Sequence, residues 1–500
     1  MSAAEDVFAG LTDAQKIGQV ISTSVGHHSS VMVDPPVPED PAADAFWAAH
    51  AEAMRRDRAR VTELVEAYAL GGVCYFPGRL DGSRPDEVVA TIRELGSAAE
   101  LPLLVSTDQE GGRVARLRGG FTLFGSAMSM AATGDPAAVA AAAYVTGTEL
   151  RAVGIQQVFS PVCDLNLNPA NPVIGTRSYG ATAADAAPYL RAVVEGFARA
   201  DVATTAKHFP GHGDTATDSH LAVPVLTHDL GDWRAGEGAS FAAAIAAGVD
   251  AVMTGHLVLQ AVDPRPATYA GPVLTGLLRE ELGFDGLVVT DALGMSGAVG
   301  DLVDALNAGA DQLLMPPDVP AAVAQLIRAL DDGRLPVERL GEACLRVLRL
   351  KERLGLLPGQ PSYVGPGREV LGQHQADAIA LAASAVTVRG SRPAPVARRV
   401  ALRGGSESVR SRLAGALAEV GVTVAADAGP TVVLVGDAPP VGVGPDDVLV
   451  VTGLPYVAAG LGAERPVLLT YGDNATHLAA VARVLCDPDL ARGRLPVPLS

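Results

Sequence analysis

Leu287-Val288-Val289-Thr290-Asp291-Ala292-Leu293-Gly294-Met295 ends a Val-rich run on a carboxylate, and the recurrence of that arrangement decides the fold. Outward from it, Asp108 follows LLVST, Asp164 follows VFSPVC, Lys207 and His208 follow VATTA, and His256 follows AVMTG. Eight such apolar runs are expected as buried strands, at residues 19–25, 72–76, 101–107, 157–162, 202–207, 251–254, 287–290 and 312–315. Ala-rich amphipathic stretches lie between most of them, as at 135–152 and 184–200, with the length of crossover helices. Strand and helix alternating eight times predict an α/β chain folded as a (β/α)8 TIM-type barrel. In such a barrel the polar strand ends converge on one face. An open doubly wound sheet would also carry ligands at its strand ends, but no dinucleotide-type glycine fingerprint follows an early strand.

The 500 residues suit two or three domains. Residues 1–355 are assigned to the barrel, 356–371 to a linker, and 372–500 to a smaller αβα sandwich. In that second domain AVTVRG, RRVALRG, TVVLVG, DVLVVTG and PVLLTYG read as strands of a mostly parallel, doubly covered sheet. Helices are expected at 376–384, 409–420 and 477–485.

A formal charge of −18 argues against nucleic acid and against anionic membrane surfaces as partners. The apolar stretch 241–262 reaches membrane-spanning length, but it contains Gly248, Asp250 and His256 and is read as a helix followed by a buried strand. Acids in the first 20 residues, and four cysteines without C-x-x-C spacing, point to a cytoplasmic chain without disulfides or a cysteine zinc site.

Rare polar residues cluster. Lys207 is one of only three lysines, and five of the ten histidines fall between 208 and 256. His208 and His212 have the spacing of helical metal ligands, but Pro210 and Gly211 between them disfavour a helix, so no metal site is expected. Asp218 and His220 are two apart, so in an extended loop the carboxylate can fix the imidazole for proton transfer; a loop-stabilising hydrogen bond is the other reading. Asp291 can attack an electrophilic carbon from the end of a rigid strand, or it can cap a helix. Asp108 with Arg116 suits a hydroxyl-rich ligand, or forms a salt bridge at the rim, and Arg177 binds there or satisfies loop carbonyls.

The motifs K-H-F-P-G-H-G with D-S-H, D-Q-E-G-G-R-V-x-R, N-P-x-I-G-x-R-S-Y and V-V-T-D-A-L-x-M together resemble glycoside hydrolase family 3, and within it the β-N-acetylglucosaminidase branch. The resemblance runs in order from Leu11 to Leu356, and GRLPV at 493–497 is similar to the family's second domain. It implies Asp291 as nucleophile, His220 as general acid/base and Asp218 as its partner. Asp108, Arg116, Arg177, Lys207 and His208 match sugar-contacting positions. It implies no metal and no organic cofactor. The expected activity is exo-acting, retaining removal of terminal β-GlcNAc from cell-wall or chitin-derived saccharides. Phosphorolysis through the same nucleophile is the nearest alternative, ahead of a β-glucosidase or a non-catalytic sugar-binding protein. Residues 26–59 are longer and more irregular than a barrel needs after its first strand, and His27 and His28, near that strand's end, either border the substrate site or belong to a solvated insertion.

Overall fold

The computed structural model describes residues 2–26, 43–77, 84–215, 223–360, 367–426, 431–436, 442–444, 446–461 and 465–499. Eight strands form the first domain: β1 (Ile21–Val25), β2 (Gly72–Tyr75), β3 (Leu104–Thr107), β4 (Gln157–Val158), β5 (Ala203–Phe209), β6 (Ala251–Thr254), β7 (Leu287–Thr290) and β8 (Leu313–Leu314). They are parallel in the order β7-β6-β5-β4-β3-β2-β1-β8, and a parallel bridge from Val289 to Gln312 nearly closes the ring. Every residue of β2 through β8 is buried. Burial on both faces is why these strands are continuous apolar runs without alternation.

Side chains from or beside β2, β4, β6 and β8, with Val289 of β7, pack into a cluster of their own: Cys74, Phe76, Phe159, Met253, Val289 and Leu314. That is the alternate-strand layering of a filled barrel interior. The outer helices start where the sequence supplies caps. Asp135 accepts from the N–H groups of Ala137 and Ala138 at the head of Pro136–Ala152, and Thr182 accepts from Asp185 N–H at the head of Ala183–Arg199. The 241–262 stretch divides as expected between the helix Glu237–Ala246 and β6. Among the described residues no helix is long and apolar enough to cross a membrane.

The second domain has its own sheet: β9 (Thr387–Arg389), β10 (Arg399–Gly404), β11 (Thr423–Val424), β12 (Thr431–Val435), β13 (Val448–Val451) and β14 (Val467–Leu469). Its order is β9-β14-β13-β12-β10-β11, with only β9 antiparallel. Helices Gln375–Ala385, Glu407–Glu419 and Ala475–Cys486 accompany it, and a separate apolar core unites them with the strands. β11 is absent from the sequence reading because both its residues are exposed, leaving no apolar run to detect. All four cysteines are free.

Candidate active site

The carboxyl ends of the barrel strands carry a compact charged cluster. Asp108 directly follows β3, and the short antiparallel ribbon of Gln109–Gly111 and Val114–Ala115 folds back beside it. This ribbon brings Arg116 Nη2 to 3.3 Å from Asp108 Oδ2. Period-two spacing along the extended chain puts Glu110 on the same side as Asp108. Between them stands Lys207, whose Nζ lies 2.8 Å from Asp108 Oδ1 and 2.5 Å from Glu110 Oε1. Arg177 grips Glu110 with two parallel bonds of 2.8 Å, from Nε and Nη2. Such fork-to-carboxylate pairing fixes orientation as well as charge.

β5 reaches two residues further than its apolar run. Ala206 pairs with Val252 but Phe209 with Thr254, so one extra residue is accommodated between them. A bulge of this kind re-aims side chains, and here consecutive Lys207 and His208 both reach the mouth. The segment from Lys207 is therefore strand to Phe209 and loop only afterwards.

Burial works against every charge in the cluster, but the pairing wins. Lys207 and then Arg116 hold the Asp108 carboxyl well below the ordinary carboxylate range despite burial. Burial raises Glu110 too, and Arg177 followed by Lys207 reverses it. In return, against burial, Glu110 pushes Arg177 up and Asp108 pushes Lys207 up. Both bases stay cationic at any working pH.

Asp164, six residues after β4, organises the facing loop. It accepts from His208 N–H at 3.1 Å and His212 N–H at 2.7 Å through Oδ1, and its Oδ2 lies 2.7 Å from His208 Nδ1. Burial raises its pKa, yet His208 outweighs that, and Asp164 lies below its ordinary value. An ionised Asp164 accepts from His208 Nδ1–H, and Nε2 of the same ring faces Arg177 Nη2 at 3.4 Å.

Asp291 follows β7 and is half-buried. Its Oδ1 accepts from Ala292 N–H at 2.7 Å, and among the described residues the other oxygen has no hydrogen-bond partner. Burial favours its neutral form; His208, His256, the Ala292 N–H and Lys207 outweigh burial and hold it anionic. Asp291 caps no helix, since the next begins at Leu302 with Asp301 as its cap. His256, fully buried, fixes the backbone behind it, with Nε2 3.2 Å from Ala292 O and Nδ1 2.9 Å from Thr268 Oγ1.

The structure thus brings together Asp108, Arg116, Arg177, Lys207 and His208, with Asp291 within their electrostatic reach. Asp218, His220, His27 and His28 lie outside the described residues. Glu110 and Asp164 join the cluster without having been assigned a role from sequence. Glu110 was legible in the D-x-E spacing, and Asp164 in its place at a strand end. Among the described residues no group of three or more His, Cys, Asp or Glu could hold a metal ion.

Beside this cluster the two domains face one another across a cavity of about 740 Å³. Arg113, Pro172 and Thr176 line it from the barrel, and Thr452, Tyr456 and Asp473 from loops after β13 and β14.

This architecture and motif order are matched by known proteins. The model for the glycosyl hydrolase family 3 N-terminal domain matches residues 13–350. The chain belongs to glycoside hydrolase family 3. Among its relatives, a β-N-acetylglucosaminidase/β-glucosidase of Cellulomonas fimi is 37% identical over 326 residues, covering 61% of this chain and 58% of that protein. Beta-hexosaminidase A of Pseudoalteromonas piscicida is 36% identical over 332 residues, 59% of this chain and 55% of that one. The match therefore spans little more than half the length of these two relatives. The solved structure of a family 3 β-N-acetylglucosaminidase from Paenibacillus sp. str. FPU-7 superposes with a TM-score of 0.84 at 31% identity, over 98% of this chain and 99% of that one.

Proposed function

We propose that the chain is an exo-acting, retaining β-N-acetylglucosaminidase that removes terminal β-GlcNAc from cell-wall or chitin-derived saccharides. In this reading residues 1–355 form the catalytic barrel, 356–371 the connector and 372–500 the second domain. The observation that carries it is the state of Asp291: a half-buried carboxylate, held anionic, with one oxygen unengaged among the described residues, beside a cluster built to bind hydroxyls. The full-length likeness to the Paenibacillus enzyme supports the sugar assignment.

Asp291 attacks the anomeric carbon and forms a glycosyl-enzyme as the glycosidic C–O bond breaks. His220, oriented by Asp218, gives its proton to the leaving oxygen. It then takes a proton from the water that opens the intermediate, and two inversions give net retention. Asp108, Arg177, Lys207 and His208 hold the sugar, with Arg116 bracing Asp108. Lys207, Glu110 and Arg177 are almost buried, with 3%, 5% and 12% of their side chains exposed. Side chains so little exposed suit a site that receives a chain terminus rather than the middle of a polymer.

The test is a proton and phosphorus NMR time course on an aryl β-N-acetylglucosaminide, with and without phosphate. Initial release of β-GlcNAc in both tubes supports the proposal. Sugar 1-phosphate in the phosphate tube replaces hydrolysis with phosphorolysis while keeping Asp291. α-GlcNAc as first product removes the covalent intermediate, and absence of turnover removes the enzyme.

A further inference from the structure

Asn166 is buried and bonded through both ends of its side-chain amide. Its Nδ2 donates to Gly175 O at 2.8 Å, which leaves Oδ1 as acceptor, and Tyr456 OH donates to that oxygen at 2.5 Å. Its N–H donates to Gly180 O at 2.8 Å. One residue thus holds both ends of the loop that carries Arg177, Gly175 through its side chain and Gly180 through its backbone, and among the described residues the only group bonded to its side-chain oxygen belongs to the other domain. Tyr456 lies in the turn Pro455–Gly460 that leaves the carboxyl end of β13. The preceding Leu454 packs directly over Gly175, whose φ of +46° places it in the left-handed region. Gly175, Thr176 and Arg177 form one short helical turn, so Gly175 and the guanidinium move together. From Arg177 the chain of contacts continues to Glu110 and to His208 Nε2.

We infer that Tyr456 of the second domain is a positioning residue for the sugar site, its hydroxyl setting Arg177 through Asn166 and the Gly175 turn. Burial pushes the phenol up to about 12, so the hydroxyl stays a donor throughout the assay range. Tyr456 has no direct part in bond making; it acts on Arg177. The inference deepens the proposed function and rests on its assignment of Arg177 to sugar binding.

Tyr456→Phe keeps the ring and removes only the donor. The experiment combines steady-state kinetics on an aryl β-N-acetylglucosaminide, hydrogen exchange across 171–180 and thermal melting, for wild type, Tyr456→Phe, Asn166→Ala and the double variant. Expected for Tyr456→Phe is faster exchange at 174–178 and a KM about tenfold higher, with kcat changed far less, as for a contact made equally in ground and transition states. Added to Asn166→Ala, it should have no further effect on kcat/KM. A residue that merely docks the domains would lower the melting temperature and leave KM and the cycle untouched, and that result overturns the inference. Unchanged exchange at 174–178 also overturns it. Faster exchange at 174–178 in a chain whose wild type has no turnover would keep Tyr456 as the support of this loop and refute the proposed function instead.

Discussion

Asp164 Oδ2 stands 2.7 Å from His208 Nδ1, while Oδ1 of the same carboxylate holds the N–H of His212. One buried acid therefore fixes the imidazole of one histidine and the backbone of another, tying the end of β5 to the loop beyond it. Asp164→Asn keeps the shape but removes the charge, and its amide cannot accept at both contacts. Losing a charge-assisted bond of about 1.5–3 kcal/mol corresponds to a roughly 10- to 100-fold fall in kcat/KM. Steady-state kinetics on an aryl β-N-acetylglucosaminide check this. Unimpaired turnover in the folded variant would show that the orientation of His208 does not matter to the reaction.

Asp291→Ala should retain the fold and lose turnover by about 10⁴-fold or more, the scale seen when a covalent nucleophile is removed. Circular dichroism and binding of GlcNAc would establish that the pocket survives. The pH dependence has a definite sign. Asp291 is held below its ordinary 3.8, so it remains charged down to lower pH than a free carboxyl. Its ionised form also stabilises the fold above the unfolded value, a contribution lost as pH falls through the folded one. An acid limb of kcat/KM near pH 5 or above would belong to another group, and Asp291→Ala with wild-type turnover would end its assignment as nucleophile.

Strand ends were legible because parallel strands covered on both faces must be apolar throughout, so a charged group closing LVVT or LLVST stands out against its run. Asp108, Lys207, His208 and Asp291 could be placed on one face by that rule alone. Less visible were partners that only tertiary proximity creates. Nothing in the sequence between Asn166 and Tyr456 signals their bond, and Asp164 looks like any acid at a strand end until His208 is set against it. The extension of β5 through Phe209 was hidden because Lys207 and His208 interrupt the apolar pattern that marks a strand. They sit in the ladder because Asp108, Glu110 and Asp164 meet their polar groups there.

Glu237 makes stability depend on pH in the opposite sense to Asp291. It begins the helix Glu237–Ala246, is 1% exposed, and packs against Gly211, where any Cβ would overlap its side chain. Among the described residues its Oε1 has no hydrogen-bond partner. Burial above all, with Asp164 and Asp214 adding to it, pushes the carboxyl from 4.5 to about 7. The folded state therefore holds the proton more tightly than the unfolded chain. Its contribution is complete below the unfolded value and is lost as pH rises toward 7. Between pH 5 and 8 that loss is roughly 2–3 kcal/mol. Urea melts of wild type and Glu237→Gln at both pH values isolate it, because other titrating groups cancel. Equal pH dependence in the two proteins would mean that Glu237 is ionised in the fold.

At the opposite end of the barrel, Asp311 precedes β8 and is fully buried. Arg279 lies 2.6 Å away, Arg339 2.8 Å and Arg346 3.3 Å, and Val288 N–H donates at 2.9 Å. The carboxylate joins the start of β7 to three separate arginines, at the face where a barrel keeps its stability rather than its chemistry. Asp311→Ala removes the buried counter-charge that the three guanidiniums share, leaving Arg339 and Arg346 only the exposed carboxylates of Glu342 and Asp285. Breaking a buried ionic network by removing one partner costs about 3–5 kcal/mol, enough to lower the melting temperature by more than about 5 °C. Below the melting range, kcat should stay within about threefold of wild type, since nothing at Asp291 or Lys207 depends on this contact, and threefold is well under one hydrogen bond's worth of transition-state binding. An unchanged melting temperature would show that the arginines find other acceptors. A large loss of kcat in a variant that melts normally would mean that the two faces of the barrel are coupled.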